Sequence, residues 1–164
     1  KRMAQSTENK TFEINVSPVP AARAIGIKIR TDMGKAMIDC PKLWHETFAP
    51  RMQEVEGFNG TAYGISEAVD CQAGIFDYWA AVPATPSAPI PAGMETLSLP
   101  AGLYAQCRVE SLADIGAAYD FIYSVWPSAQ TEFMLDYTAR CYEFYPADSM
   151  ETGVFYIYVM VNKK

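Results

Sequence analysis

The sequence lacks the features that would point to a membrane, a secretory route or a nucleic acid. No apolar run approaches the roughly 18 residues that a membrane-spanning helix needs, so we expect no membrane partner. The stretch KRMAQSTENK at residues 1–10 is polar, without the apolar segment of a signal peptide. Lys and Arg total 13 and do not cluster, and the net charge is −6, which argues against direct nucleic-acid binding.

Cysteine and histidine are scarce, and their spacing argues against a metal site. Cys40, Cys71, Cys107 and Cys141 lie far apart with no C-x-x-C pair, and His45 is the one histidine. A metal would need ligands from remote segments, so we predict no metal and no cofactor. We expect four buried, reduced thiols, which favours a cytoplasmic protein.

Aromatic residues, in contrast, are abundant. They make up 13% of the 164 residues, with 10 Tyr and 8 Phe. A chain of this length and 50% hydrophobic content can bury one sizeable core. The excess of aromatic side chains suggests a use beyond filling that core.

The two halves of the chain resemble each other. GIFDYWAAV at 74–82 aligns with GVFYIYVMV at 153–161, a spacing of 79 residues, and the same spacing brings Tyr63 onto Tyr142. VPAA at 19–22 resembles LPAG at 99–102, and LWHETF at 43–48 resembles FIYSVW at 121–126. Four matches in the same order indicate a duplicated module.

Each half is predicted to run strand, helix, strand, strand. In the first half a strand within 12–30, broken by Pro18 and Pro20, precedes a helix from Pro41 to Val55, with apolar Met37 and Ile38 hinting at an earlier start. TAYGIS and GIFDYWAAV complete it. In the second half TLSLPAGLYAQCRV forms a strand pair or one bent strand. A helix capped by Ser111 and stopped by Pro127 then leads to ARCYEFYP and GVFYIYVMV.

These elements predict an α+β fold. Two pseudo-twofold related modules would form one antiparallel sheet, with a ligand cleft between the halves. Residues 1–11 would be a polar, partly disordered tail, and 12–164 a single domain. Its halves would cover about 12–82 and about 94–162, joined by the linker PATPSAPIPAG at 83–93, whose four prolines exclude regular structure.

A carboxylate within a strand raises a question about its partner. In TARCYEFYPA, Glu143 shares a strand face with Cys141 and Tyr145, while Tyr142 and Phe144 point the other way, as we expect, into the core under the helices. A charge in apolar surroundings costs several kcal/mol unless it is paired. Glu143 therefore needs either a partner or water.

The repeat offers one answer, and ordinary surface chemistry offers another. At the repeat spacing, Cys141, Glu143 and Tyr145 match the small residues of the first half, which are Ala62, Gly64 and Ser66. A carboxylate facing small side chains is typical of a pocket. Alternatively, Glu143 faces solvent at an edge or bridges to Arg140 or Arg108.

The chain resembles the GyrI-like effector-binding domains, which also serve as ligand-sensing parts of AraC- and MerR-type regulators. Within that family it is most similar to the stand-alone integron cassette proteins that bind cationic drugs. The resemblance runs from about Val16 to Val161. The matching pieces are PAARAIGI, LWHETF, TAYGIS, GIFDYWAAV, IPAGMETLSLPAGLYAQCRV, FIYSVWPSA and YEFYPAD.

The resemblance implies that planar, lipophilic, cationic aromatic small molecules bind in a cleft between the halves. It implies that Glu143, in the family's E-x-Y motif, neutralises the cation. Aromatic side chains would stack on the ligand. By position these ligand-binding candidates are Tyr145, Trp79, Tyr78, Tyr63, Phe48, Trp126 and Tyr104.

Other functions stay open at this stage. Some GyrI-like proteins are hydrolases, and Glu143 could then act as general base, although no catalytic triad or phosphate-binding loop is present. A gyrase-interacting inhibitor is a further alternative. We expect no helix-turn-helix domain before Val16, so regulation would need a protein partner such as a regulator, or a separate mode of action. A homodimer is equally open.

Overall fold

The computed structural model describes residues 10–164, so most of the predicted polar tail lies outside the described residues. Nine strands occur in this part of the chain. They are β1 (Ile14–Val19), β2 (Ala22–Asp32), β3 (Ala62–Asp70), β4 (Ile75–Pro83), β5 (Glu95–Leu99), β6 (Gly102–Val109), β7 (Phe133–Leu135), β8 (Cys141–Tyr145) and β9 (Phe155–Lys163).

Two helical stretches connect the strands. The first covers α1 (Ala36–Lys42), a π-helical segment (Leu43–Phe48) and a 3₁₀ segment (Ala49–Glu54). The second covers a 3₁₀ turn (Leu112–Asp114), α2 (Ile115–Asp120), a π-helical segment (Phe121–Val125) and α3 (Trp126–Ala129). The short α4 (Ser149–Thr152) lies between β8 and β9. No helix within residues 10–164 is long and apolar enough to cross a membrane.

Prolines mark the changes of helix type. Pro41 lies inside α1 just before one π-helical segment, and Pro127 lies at the start of α3 just after the other. Proline has no N–H and disrupts the regular hydrogen-bond ladder, so these are natural points for the helix to change pitch. The expected stop at Pro127 is wrong, because a final turn continues to Ala129. Ser111 caps its helix as predicted, accepting from the amide of Ala113.

The sheet confirms the duplicated α+β architecture. Its strand order is β1-β6-β9-β8-β3-β4-β2-β5, with β7 paired to β9, and every pair is antiparallel. Outward from the central β3–β8 pair, the strands follow in equivalent order on both sides. A pseudo-twofold axis therefore passes through that pair, where Gly64 is the register partner of Glu143.

Each module begins with a strand that belongs to the sheet of the other module. β1 precedes β2 in the chain but pairs with β6, and β5 precedes β6 but pairs with β2. Only Pro20 and Ala21 separate β1 from β2, so the chain crosses between the two ends of the sheet in about 11 Å or less. The sheet must therefore curl until its ends lie close together.

The two faces of the sheet have different coverings. Both helical stretches pack on one face, here called the helix face, which carries Tyr78, Ala80 and Cys107. The opposite face has a core of its own, formed by residues from both ends of the curled sheet. This core consists of Ala24, Ile65, Trp79, Ala81, Leu97, Leu99, Tyr104 and Tyr142.

Glu143 lies on the helix face, and this reverses one expectation. Tyr142 belongs to the opposite face, where it packs edge-on against Tyr63, and Phe144 also contacts Tyr63. Tyr142 and Phe144 are therefore not under the helices, as predicted. The helix face accommodates the carboxylate because the sheet and the second helical stretch supply hydroxyl donors for it.

Candidate functional site

Glu143 is a buried carboxylate at the centre of the sheet. Its residue is 4% exposed, although it carries a charge at neutral pH in ordinary surroundings. The Tyr145 hydroxyl donates to Oε1 at 2.7 Å, and the Tyr119 hydroxyl donates to Oε2 at 2.6 Å. Each carboxylate oxygen is thus bound by one phenol, and the two phenols come from β8 itself and from α2.

A third tyrosine completes the surroundings of the carboxylate. The Tyr78 hydroxyl, on β4, is a further hydrogen-bonding neighbour of Glu143, and it accepts from Trp44 Nε1 at 2.9 Å. Trp44 also packs edge-on against Tyr145, with ring centroids 6.0 Å apart. One chain of contacts therefore joins the first helical stretch, β4 and β8 around the carboxylate.

Gly64 makes room for this group. A Cβ at Gly64 would lie 2.5 Å from the Tyr78 hydroxyl and 2.9 Å from Glu143 Oε1. The sequence predicted an empty space beside Glu143 at this position. Gly64 has no side chain there, as predicted, but the position is not empty, because the Tyr78 hydroxyl and the Glu143 carboxylate fill it.

Burial and hydrogen bonding act on Glu143 in opposite directions. Burial raises the pKa of the Glu143 carboxyl above its usual value, and hydrogen bonds from Tyr119, Tyr145 and Tyr78 partly offset this. Burial next to the carboxylate raises the pKa of all three phenols. The tyrosines therefore remain neutral donors to Glu143.

Tyr123 and the thiols of Cys40 and Cys141 lie next to the group around Glu143. Tyr123 stacks on Tyr119 with ring centroids 6.4 Å apart and an angle of 10°, and its hydroxyl lies near the Cys141 thiol. Burial and the nearby Glu143 raise the pKa of the Cys40 thiol to about 11. The helix side of the carboxylate is thus lined by phenols, an indole and protonated thiols.

The structure places the predicted ligand-binding residues in four locations. Tyr145 and Tyr78 lie with Glu143. Phe48 is fully buried behind Trp44, with centroids 5.7 Å apart. The remaining four are elsewhere: Trp79, Tyr63 and Tyr104 lie on the opposite face, and Trp126 stacks on Phe133 at the β1 edge of the sheet.

Trp44 and Tyr119 were missed as site residues. Both lie on helices, and their contacts with Tyr78 and Glu143 join residues 34 and 24 positions apart. The repeat carried a signal for Trp44 only, because LWHETF was aligned with FIYSVW, whereas Tyr119 lies outside both aligned segments; both segments are π-helical on the helix face. Helical segments of this type are frequent at functional sites.

The alternative partners of Glu143 are paired elsewhere. Arg140 lies 3.5 Å from Glu67, and Arg108 pairs with Glu110. The expectation of four buried thiols is correct for Cys107, whereas Cys40 and Cys141 are only half-buried and Cys71 is exposed in the turn between β3 and β4. All four cysteines are free, and residues 10–164 contain no cluster of metal ligands.

Comparison with known proteins gives the family. The GyrI-like small molecule binding domain matches residues 12–162. The chain belongs to the GyrI-like family. A search of curated proteins found no match.

Solved structures of other proteins have the same fold. SAV2435 bound to tetraphenylphosphonium superposes with a TM-score of 0.70 at 15% identity, over 92% of this chain and 94% of that one. The Vibrio cholerae integron cassette protein VCH_CASS2 gives 0.59 at 18% identity, over 92% and 97%. The EcmrR C-terminal domain gives 0.63 at 11% identity, over 94% and 100%. At these identities the similarity establishes the fold.

Proposed function

We propose that this GyrI-like domain binds lipophilic aromatic cations at Glu143, without chemical conversion of the ligand. The observation that carries the proposal is a buried carboxylate whose hydrogen-bond partners, within the described residues, are all neutral phenols. A buried charge that lacks a counter-ion is costly. A cationic ligand would supply that counter-ion.

The surrounding side chains suit an aromatic ligand. Trp44, Tyr78, Tyr119 and Tyr145 surround the carboxylate, and each ring in contact with a cation contributes about 0.5–2 kcal/mol. Tetraphenylphosphonium, the ligand of the SAV2435 structure, is a lipophilic cation. The net charge of −6 adds a weak, long-range attraction for such ligands.

Access requires movement of side chains or helices. Because Glu143 is 4% exposed, a ligand reaches it only when the groups from the helical stretches move aside. Binding would then follow an opening step, and the apparent affinity would depend on the fraction of open molecules.

Binding without turnover is favoured by the state of the nearby thiol. With a pKa of about 11, Cys40 is protonated at neutral pH and is a poor nucleophile. The phenols are likewise held in the neutral form.

Two ions of the same shape and opposite charge provide the test. Tetraphenylphosphonium should quench Trp fluorescence or give binding heat with the wild type, and tetraphenylborate should not. Glu143→Gln should weaken tetraphenylphosphonium by roughly tenfold or more, as expected for loss of a charge-assisted contact. Glu67→Gln, on the opposite face, is the matched control. Equal affinity of the wild type and Glu143→Gln would refute the role of Glu143.

A further inference from the structure

The segment before β1 is fastened to the second helical stretch. Lys10 Nζ lies 2.7 Å from Asp114 Oδ2, and the Phe12 ring lies 5.7 Å from the Phe121 ring. The carbonyl of Glu13 accepts from the amide of Arg108 at 3.0 Å, which ties the segment to the sheet as well. Residues 10–13 therefore lie across the helix from outside.

The helix under this segment carries a donor of the Glu143 site. Phe121 opens the π-helical segment, and Tyr119, two residues earlier, donates to Glu143. Ala118 and Ile122 pack on the helix face of the sheet. The helix thus lies between residues 10–13 and the carboxylate.

The other half of the molecule has an equivalent segment. Residues 84–94 precede β5 as residues 10–13 precede β1, and they are fastened to the first helical stretch and its end. Arg51 donates to the carbonyl of Ala92 at 2.8 Å, the Thr85 amide donates to the carbonyl of Glu56 at 3.3 Å, and Met94 is buried in that core.

The two segments differ in how they are held. Residues 84–94 are continuous with strands at both ends, β4 and β5, and Arg23 donates to the carbonyls of Thr85 and Ala88. Residues 10–13 are continuous with β1 at their carboxyl end. Their main fastenings to the helix are one partly exposed ion pair, worth little, and one aromatic contact. The second helical stretch is therefore held by weaker contacts from residues 10–13 than the first helical stretch is from residues 84–94.

We propose that residues 10–13 act as a strap that holds the second helical stretch against Glu143, so that loosening the strap opens the carboxylate to a ligand. The ligand part rests on the proposed function, whereas the strap itself can be tested without any ligand. The strap also gives the chain that precedes residue 10 a mechanical connection to Tyr119. A partner that binds the chain before residue 10 and displaces residues 10–13 would change ligand access.

Hydrogen exchange tests the strap directly. Phe12→Ala removes the aromatic contact and should speed amide exchange across 115–129 by about tenfold, while 36–54 keeps its protection. Phe58→Ala, a half-buried phenylalanine of the other core, is the matched control and should leave 115–129 unchanged. Lys10→Ala is a milder variant with a smaller effect in the same region. Unchanged exchange at 115–129 in Phe12→Ala, or equal change in Phe58→Ala, would overturn the strap.

Stopped-flow binding of tetraphenylphosphonium tests the link to the site. Phe12→Ala should bind faster and more tightly than the wild type, because more molecules are open. Faster exchange with an unchanged association rate would overturn the control of access. If tetraphenylphosphonium fails to bind the wild type at all while exchange still responds to Phe12→Ala, the proposed function fails and the strap is supported.

Discussion

Gly64 and Glu143 are register partners at the pseudo-twofold axis, so one half of the duplication places a carboxylate where the other half has no side chain. The Tyr78 hydroxyl and Glu143 Oε1 both lie within 2.9 Å of where a Cβ of residue 64 would be. The buried charge thus depends on an asymmetry within a symmetric fold.

Gly64→Ala should disrupt the group around Glu143. The Cβ would push the Tyr78 hydroxyl and the carboxylate apart, and overpacking of this kind costs about 1–3 kcal/mol of unfolding free energy. Gly116→Ala is the control, because its Cβ meets nothing within 4 Å. On an exposed helix it should stabilise by up to about 1 kcal/mol. Urea denaturation measures both, and a Gly64→Ala variant as stable as the wild type would contradict the tight contact.

The pH dependence of stability should reveal the raised pKa of Glu143. Above its folded pKa, the carboxylate is charged in both states and opposes folding. As the pH falls through that pKa toward the usual value of 4.5, the folded state takes up a proton and is stabilised. The unfolding free energy of the wild type should therefore rise relative to Glu143→Gln over this interval, and the difference should level off below 4.5.

Asp77 is the control for the opposite sign. Arg30 lowers the pKa of the Asp77 carboxyl, so this group stabilises the fold above the usual value of 3.8 and loses that effect as the pH falls below it. Asp77→Asn should remove that loss. Parallel pH profiles of the wild type and Glu143→Gln in urea denaturation would show that Glu143 has an ordinary pKa.

Hydrogen-bond donors on the ligand should bring little benefit. Tyr119 and Tyr145 already donate to the two oxygens of Glu143 and Tyr78 lies beside them, so few acceptor positions remain for a primary ammonium, whereas a cation without N–H groups needs none. We expect a trimethylammonium ligand to bind at least as tightly as the primary ammonium with the same triphenylalkyl group.

Removing one phenol should reverse this preference. Tyr119→Phe vacates an acceptor position, and the primary ammonium should then gain roughly tenfold, the value of a hydrogen bond to a charged group. Tyr123→Phe, which removes a hydroxyl near Cys141 and not one bound to Glu143, is the control. Calorimetry at pH 8 measures all six affinities. Tighter binding of the primary ammonium by the wild type would contradict a carboxylate whose acceptor positions are largely taken.

The cysteines should differ in reactivity. Cys71 is exposed in a turn, whereas burial raises the pKa of Cys40 and Cys107 to about 11. Iodoacetamide at pH 8 should therefore alkylate Cys71 first and the other two only after unfolding. Peptide mass spectrometry gives the order. Early labelling of Cys40 would show that the first helical stretch opens readily.

Local patterns in the sequence predicted much of the architecture. Alternation placed Glu143 and Tyr145 on one face, and the repeat predicted the duplicated antiparallel sheet. Alternation cannot say which face the helices cover, which is why Tyr142 and Phe144 were assigned to the wrong one. Trp44 and Tyr119 reach the site through contacts with residues far away in the chain. Helical periodicity predicts which side of a helix they occupy but not which residues they contact.

The exchange of β1 and β5 between the modules was likewise beyond the sequence. Strand pairing depends on partners far apart in the chain, and the match of VPAA with LPAG indicates equivalence without indicating the partner. The chain crosses from one end of the sheet to the other within these two short segments, between β1 and β2 and between β5 and β6.

The same exchange governs how the molecule folds. Because each module completes the sheet of the other, neither can reach its native form before the whole chain has been synthesised and β6 has received β1. Pairings of such long sequence separation slow folding and make it cooperative. A single module of this design would lack the strand that the other module supplies, so the present chain has the arrangement of two strand-swapped subunits joined in one polypeptide.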